Sequence, residues 1–78
     1  MEKIEKKIKK ILRKVVKIKD FDNEDNLEEM GVTSLNMLLV IPNIELTFDV
    51  EIPSEDLTRE NFITIKAMAN LVNKLQKA

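Results

Sequence analysis

Histidine, cysteine, tryptophan and tyrosine are absent from this 78-residue chain. Without the first two, the commonest general base, thiol chemistry, disulfides and most zinc-ligand sets are excluded. Phenylalanine occurs only at 21, 48 and 62, which leaves no aromatic platform for stacking nucleic-acid bases. Apolar runs are short as well. The longest, Met37 to Ile41, falls far below the roughly 20 residues that cross a bilayer, and the charged, aliphatic N-terminus has no signal-peptide hydrophobic region. A chain of this length makes one domain, residues 1–78, and buries too little to enclose a substrate pocket of its own. The expectation is a soluble, cytoplasmic, monomeric protein that is not an enzyme, does not bind nucleic acid and does not insert into a membrane.

Charge is abundant but unevenly placed. Residues 1–19 hold nine Lys/Arg and two Glu, a net +7, whereas residues 20–78 hold four Lys/Arg and twelve Asp/Glu, a net −8. Within the basic part, Ile4, Ile8, Ile11, Leu12, Val15 and Ile18 fall on one helical face, so residues 2 to about 18 should form an amphipathic first helix. Lys17 and Lys19 would complement its C-terminus. Basic residues interleaved with an apolar stripe usually form a solvated face. The alternative is a small helical binding module that uses this helix on an anionic partner, nucleic acid or a membrane surface.

Asp20 to Asn26 is a run of turn-forming residues, anchored by Phe21 and Leu27. Its acidic spacing hints at a calcium loop, but an EF-hand counted from Asp20 needs glycine at its sixth position and glutamate at its twelfth, where Asp25 and Gly31 stand. No metal site is therefore expected. Gly31 supplies the permissive backbone for a turn, and Gly31-Val32-Thr33-Ser34-Leu35 then puts a hydroxyl where a loop gives way to a helix-like run. Val32 and Leu35 can be buried on either side of Ser34. A serine there lies near unpaired N–H groups and the positive end of the helix dipole, so an anionic group on it would gain roughly 0.3–1 kcal/mol. The plain reading makes Ser34 the helix N-cap; the two are compatible if Thr33 supplies the cap and Ser34 faces solvent.

This stretch resembles the modification motif of acyl and peptidyl carrier proteins, Gly-x-Asp-Ser-Leu, and the likeness spans about residues 27–75. Asn26-Leu27-Glu28-Glu29-Met30 leads into the motif, Phe48-Asp49-Val50-Glu51-Ile52-Pro53 looks like the segment closing the family's second helix, and Asn61-Phe62-Ile63-Thr64-Ile65 looks like the start of its last. The resemblance implies an all-α, acyl-carrier-protein-like four-helix bundle of three longer helices and one short one. It implies a covalent 4′-phosphopantetheine arm on Ser34, with Gly31, Thr33 and Leu35 flanking. The implied partners are a phosphopantetheinyl transferase and enzymes that activate and transfer acyl or aminoacyl groups in fatty acid, polyketide or nonribosomal peptide-type biosynthesis. Thr33 departs from the family, which usually has an acidic residue there that assists the transferase; the departure implies slower modification, a dedicated transferase, or failure of the modification.

The middle of the chain gives two conflicting signals. Ile44, Leu46, Phe48, Val50 and Ile52 alternate with polar residues as in a strand, yet no second alternating run exists to pair with them. Leu38, Ile41, Ile44, Phe48 and Ile52 also fit helical spacing, which predicts a helix from Leu35 to about Thr47 and then an extended piece. Pro42 should kink it at Leu38–Ile41 or split it in two, at roughly 3 kcal/mol. Between Leu35 and Phe48 only Glu45 is acidic, although ordinary fatty-acid carriers present several carboxylates there. Leu35, Leu38, Leu39, Pro42, Glu45 and Leu46 are therefore candidates for an unusual partner surface, the alternative for Leu39 and Leu46 being burial in the core. Pro53 and Ser54 should open a brief helical turn with Leu57 packed inward. Thr64 should cap a last helix with Ile65, Met68, Leu71 or Val72, and Leu75 facing inward.

Overall fold

The computed structural model describes residues 2–17 and 20–78. Its elements are α1 (Glu2–Val16), α2 (Ser34–Phe48), a 3-10 turn (Ser54–Asp56), α3 (Arg59–Phe62) and α4 (Ile65–Lys77). All secondary structure among the described residues is helical, giving three long helices and one short one. None of them is long and apolar enough to cross a membrane.

α1 packs against both α2 and α4, and α3 against α4. Ile8, Ile11 and Leu12 are the buried residues of α1, where Ile4 and Val15 pack at the core's edge, as the apolar stripe predicts. The helix closes at Val16, with Lys17 in the left-handed region at φ 57°. Ile18 and Lys19, expected to extend and cap it, lie outside the described residues. From α2 come Val40, Ile44 and Phe48, spaced by four. α4 contributes Ile65, Met68, Ala69, Leu71 and Val72, so Leu71 and Val72 are both inside. The long loop adds Phe21, Leu27 and Val32 to the core.

The strand-like alternation at 44–52 resolves as helix through Phe48. Ile44 and Phe48 are one helical step apart on the inner face, while Leu46 between them points outward. Asp49 then takes a left-handed conformation, φ 53°, and its N–H donates to the Glu45 carbonyl. This reverses the chain so that Ile52 returns to the core.

Two expectations are corrected. Of the two outcomes expected of Pro42, a kink at Leu38–Ile41 or a split helix, the split is the one corrected: α2 is one continuous helix with Pro42 inside it. Pro42 lies on the exposed side of the helix, where the Leu38 carbonyl that loses its N–H partner can turn to water, and the Asn43 side-chain amide donates to the Leu39 carbonyl at 2.7 Å. Leu57 is not packed inward but is 46% exposed, because it stands on the wall of a half-open cleft rather than in the closed core. The four-residue α3 has no periodic signature in sequence.

Candidate functional site

The loop before α2 is held by backbone hydrogen bonds to the other end of the chain. Leu27 N–H donates to the Ile63 carbonyl and Lys66 N–H to the Asn23 carbonyl, each at 2.9 Å. Leu27 and Val32 are buried, and Val32 N–H closes a turn on the Leu27 carbonyl at 2.9 Å. Gly31 makes that turn at φ 96°. A Cβ there would meet nothing, so the demand for glycine is conformational rather than steric.

Thr33 is the N-cap of α2, which corrects the plain reading of Ser34 as the cap. Its Oγ1 accepts from Asn36 N–H at 3.2 Å, and its own N–H donates to Asn36 Oδ1 at 2.9 Å. The Thr33 hydroxyl also donates to Asn36 Oδ1 at 3.0 Å. The two residues form a reciprocal capping box, in which Asn36 does what Glu or Gln usually does; that substitution hides the box from a sequence scan. Ser34, the first residue of this 15-residue helix, is exposed, and its hydroxyl makes no hydrogen bond among the described residues. The first turn of α2 contains no acidic residue, leaving the positive end of the helix dipole uncompensated beside that hydroxyl.

A half-open cleft of about 280 Å³ begins at Ser34. Its walls are apolar, from Leu27, Val32, Met37, Ile41, Leu57 and Phe62, and its rim carries Glu28 and Arg59. These two are ion-paired: Arg59 Nε donates to Glu28 Oε2 at 2.8 Å and Nη2 to Oε1 at 2.6 Å. Hydrogen bonding from Arg59 holds the Glu28 carboxyl below the ordinary carboxylate range. Arg59 is marked by no sequence motif, and Glu28 only as part of the run that leads into Gly31–Leu35.

The outer face of α2 is apolar. Leu35, Leu38, Leu39 and Leu46 are 73, 66, 58 and 83% exposed. With the exposed Pro42 they follow the i, i+3, i+4, i+7, i+11 spacing of a single helical stripe. Leu35 is thus not buried beside Ser34, Leu38 does not belong to the inward face, and Leu39 and Leu46 are not core residues. Glu45 differs from its neighbours in the candidate surface. It is half-buried, and its Oε2 accepts from Ile52 N–H at 2.9 Å, so its carboxylate secures the segment after the helix. The basic residues of α1 are mostly exposed on the face opposite its buried stripe, and Lys7 Nζ lies 5.9 Å from the centroid of the Phe48 ring.

An exposed, unbonded hydroxyl at an uncompensated helix N-terminus, with an apolar cleft alongside, fits a phosphodiester-linked group. The family model described as "Phosphopantetheine attachment site" matches residues 6–72. An acyl carrier protein of Buchnera aphidicola subsp. Schizaphis graminum is 35% identical, the match covering 99% of each chain. Aminoacyl carrier protein 1 of Bradyrhizobium diazoefficiens is 31% identical over 97% of this chain and 86% of that protein. In three dimensions, the fold is similar to a chain in the crystal structure of Bradyrhizobium japonicum glycine:[carrier protein] ligase complexed with glycylated carrier protein. There the TM-score is 0.72 with 29% identity, covering 88% of this chain and 93% of that one.

Proposed function

Because this chain belongs to the phosphopantetheine-attachment family of carrier proteins, which hold a covalent 4′-phosphopantetheine and are not enzymes, we propose that its arm is borne by Ser34 and carries an aminoacyl group. The observation that carries the attachment site is the division of labour at the start of α2: Thr33 and Asn36 satisfy the helix end, and the Ser34 hydroxyl remains available. In the modification, Ser34 Oγ attacks a phosphorus of the coenzyme A pyrophosphate, forming the new P–O bond as adenosine 3′,5′-bisphosphate departs. The hydroxyl proton passes to a base on the transferase, since among the described residues no side chain is hydrogen-bonded to Ser34 Oγ in position to take it. The bound arm supplies the thiol that this cysteine-free chain lacks. The chain's own contribution is to present that attachment point on a rigid, capped helix.

The aminoacyl cargo is favoured over a fatty acyl one by two features. A relative is named for aminoacyl carriage and a structural neighbour is complexed with an amino-acid ligase. The exposed face of α2 lacks the carboxylates expected for docking to the basic patches of fatty-acid enzymes, and offers leucines instead. The activating ligase would dock on the Leu35, Leu38, Leu39, Pro42 and Leu46 stripe by apolar burial, at roughly 25 cal/mol per Å² removed from water before association costs.

The test is loading of the transferase-modified protein with single amino acids by an aminoacyl-carrier-protein ligase, read as a mass gain that hydroxylamine removes. A thioester with an amino acid is expected. Acylation only by a fatty-acyl transferase would replace this cargo assignment.

A further inference from the structure

Between residues 20 and 65 the chain carries twelve carboxylates and a single cation, Arg59. That cation lies on the rim of the same cleft that Ser34 lines. We propose that Arg59 is the positioning residue for the phosphodiester on Ser34, and that it gives up its pair with Glu28 to bind the phosphate when the arm is attached. The inference rests on Ser34 being the attachment residue.

Arg59 has the chemistry and the freedom for this exchange. A guanidinium matches phosphate as well as carboxylate geometry, and can offer two parallel N–H donors to either. Both partners of the present pair are substantially exposed, Arg59 at 64% and Glu28 at 50% of their side chains. The pair is bidentate but lies in solvent, where it is screened and where breaking it strands neither charge in an apolar interior, so a second anion entering the cleft can compete. The helix end at Ser34 supplies positive potential but no charged donor, and α2 brings no basic side chain of its own. Glu60, next to Arg59, is the other carboxylate whose field reaches the guanidinium; as a chain neighbour it accompanies Arg59 whichever anion the guanidinium pairs with. Holding the phosphate against the cleft would orient the root of the arm along the Met37 and Ile41 wall and restrict its sweep.

The test compares unmodified and modified protein, the latter made with transferase and coenzyme A and verified by intact mass, for the wild type and Arg59→Gln. Two signals are followed by NMR: the Glu28 carboxyl ¹³C through a pH titration, and the ³¹P resonance of the phosphodiester. In the unmodified wild type Glu28 should titrate below the ordinary carboxylate value. On modification it should rise to the midpoint seen in Arg59→Gln, and the ³¹P resonance should differ between modified wild type and modified Arg59→Gln. Glu28 unmoved by modification, or a ³¹P resonance indifferent to Arg59, overturns the inference while leaving Ser34 as the attachment residue. Mass showing no arm, or an arm that survives Ser34→Ala, removes the reading on which it rests.

Discussion

Thr33 and Asn36 cap α2 reciprocally, each accepting from the other's backbone N–H, and by doing so they free the intervening Ser34 from any structural duty. Replacing Thr33 by alanine should cost about 1 kcal/mol, read as a lower denaturation midpoint. Ser34→Ala should leave that midpoint within about 0.5 kcal/mol of wild type, as expected for an exposed site without partners.

Thr33→Asp keeps a side chain that caps well and restores the acidic residue usual in the motif. Its melting temperature should stay near that of the wild type while a broad-specificity transferase modifies it faster. Equal modification rates would show that position 33 does not govern recognition by that transferase.

Leu39→Glu and Leu46→Glu should leave stability nearly unchanged, because both side chains already face water. Loading by the cognate ligase should fall about tenfold or more, corresponding to about 1.4 kcal/mol of lost interaction. Loading by the wild type should tolerate added salt, since apolar burial is not screened as charge pairs are. Ile44→Ala provides the contrast: that residue is 1% exposed, and its truncation should cost roughly 2–5 kcal/mol.

Glu45→Ala should destabilise the fold by roughly 1–2 kcal/mol by leaving the Ile52 N–H without its acceptor. Glu45→Gln, which keeps an oxygen there, should recover part of this. Ligase loading of correctly folded Glu45→Gln should match wild type, because the carboxylate is committed within the chain.

Glu28 makes stability depend on pH at the acid end. Its folded pKa is lowered by Arg59, so the pair's contribution is fully present above the ordinary carboxylate value and is lost as pH falls through the lowered one. Arg59→Gln should flatten this part of the acid limb. Denaturant midpoints measured from pH 6 down to pH 3 would show it, as a smaller difference between the two proteins at the acid end than at pH 6.

How far the sequence carries depends on how local the cause is. The stripe Ile4, Ile8, Ile11, Leu12 contains its own helix signal, and Thr64 caps α4 by accepting from Ala67 N–H at 2.9 Å, as its position suggests. Ser34 is marked because glycine, turn and helix start are contiguous. Residues 44–52 defeat periodicity because inward Phe48 and Ile52 come from a helix end and from the chain reversal after it, which coincide with a two-residue alternation. Pro42 is tolerated because it faces solvent, a tertiary fact. Glu45 reads as a free surface carboxylate until the fold brings Ile52 N–H to it. Glu28 and Arg59 are 31 positions apart, and only the packing of α3 beside the loop brings them to one rim.

Intact mass of the protein after incubation with a phosphopantetheinyl transferase and coenzyme A, for wild type and Ser34→Ala, tests the assignment of the attachment residue most directly. One 4′-phosphopantetheine should be added to the wild type and none to the folded variant. An arm added to Ser34→Ala, or a wild type left unmodified by every transferase that modifies its carrier-protein relatives, would contradict it.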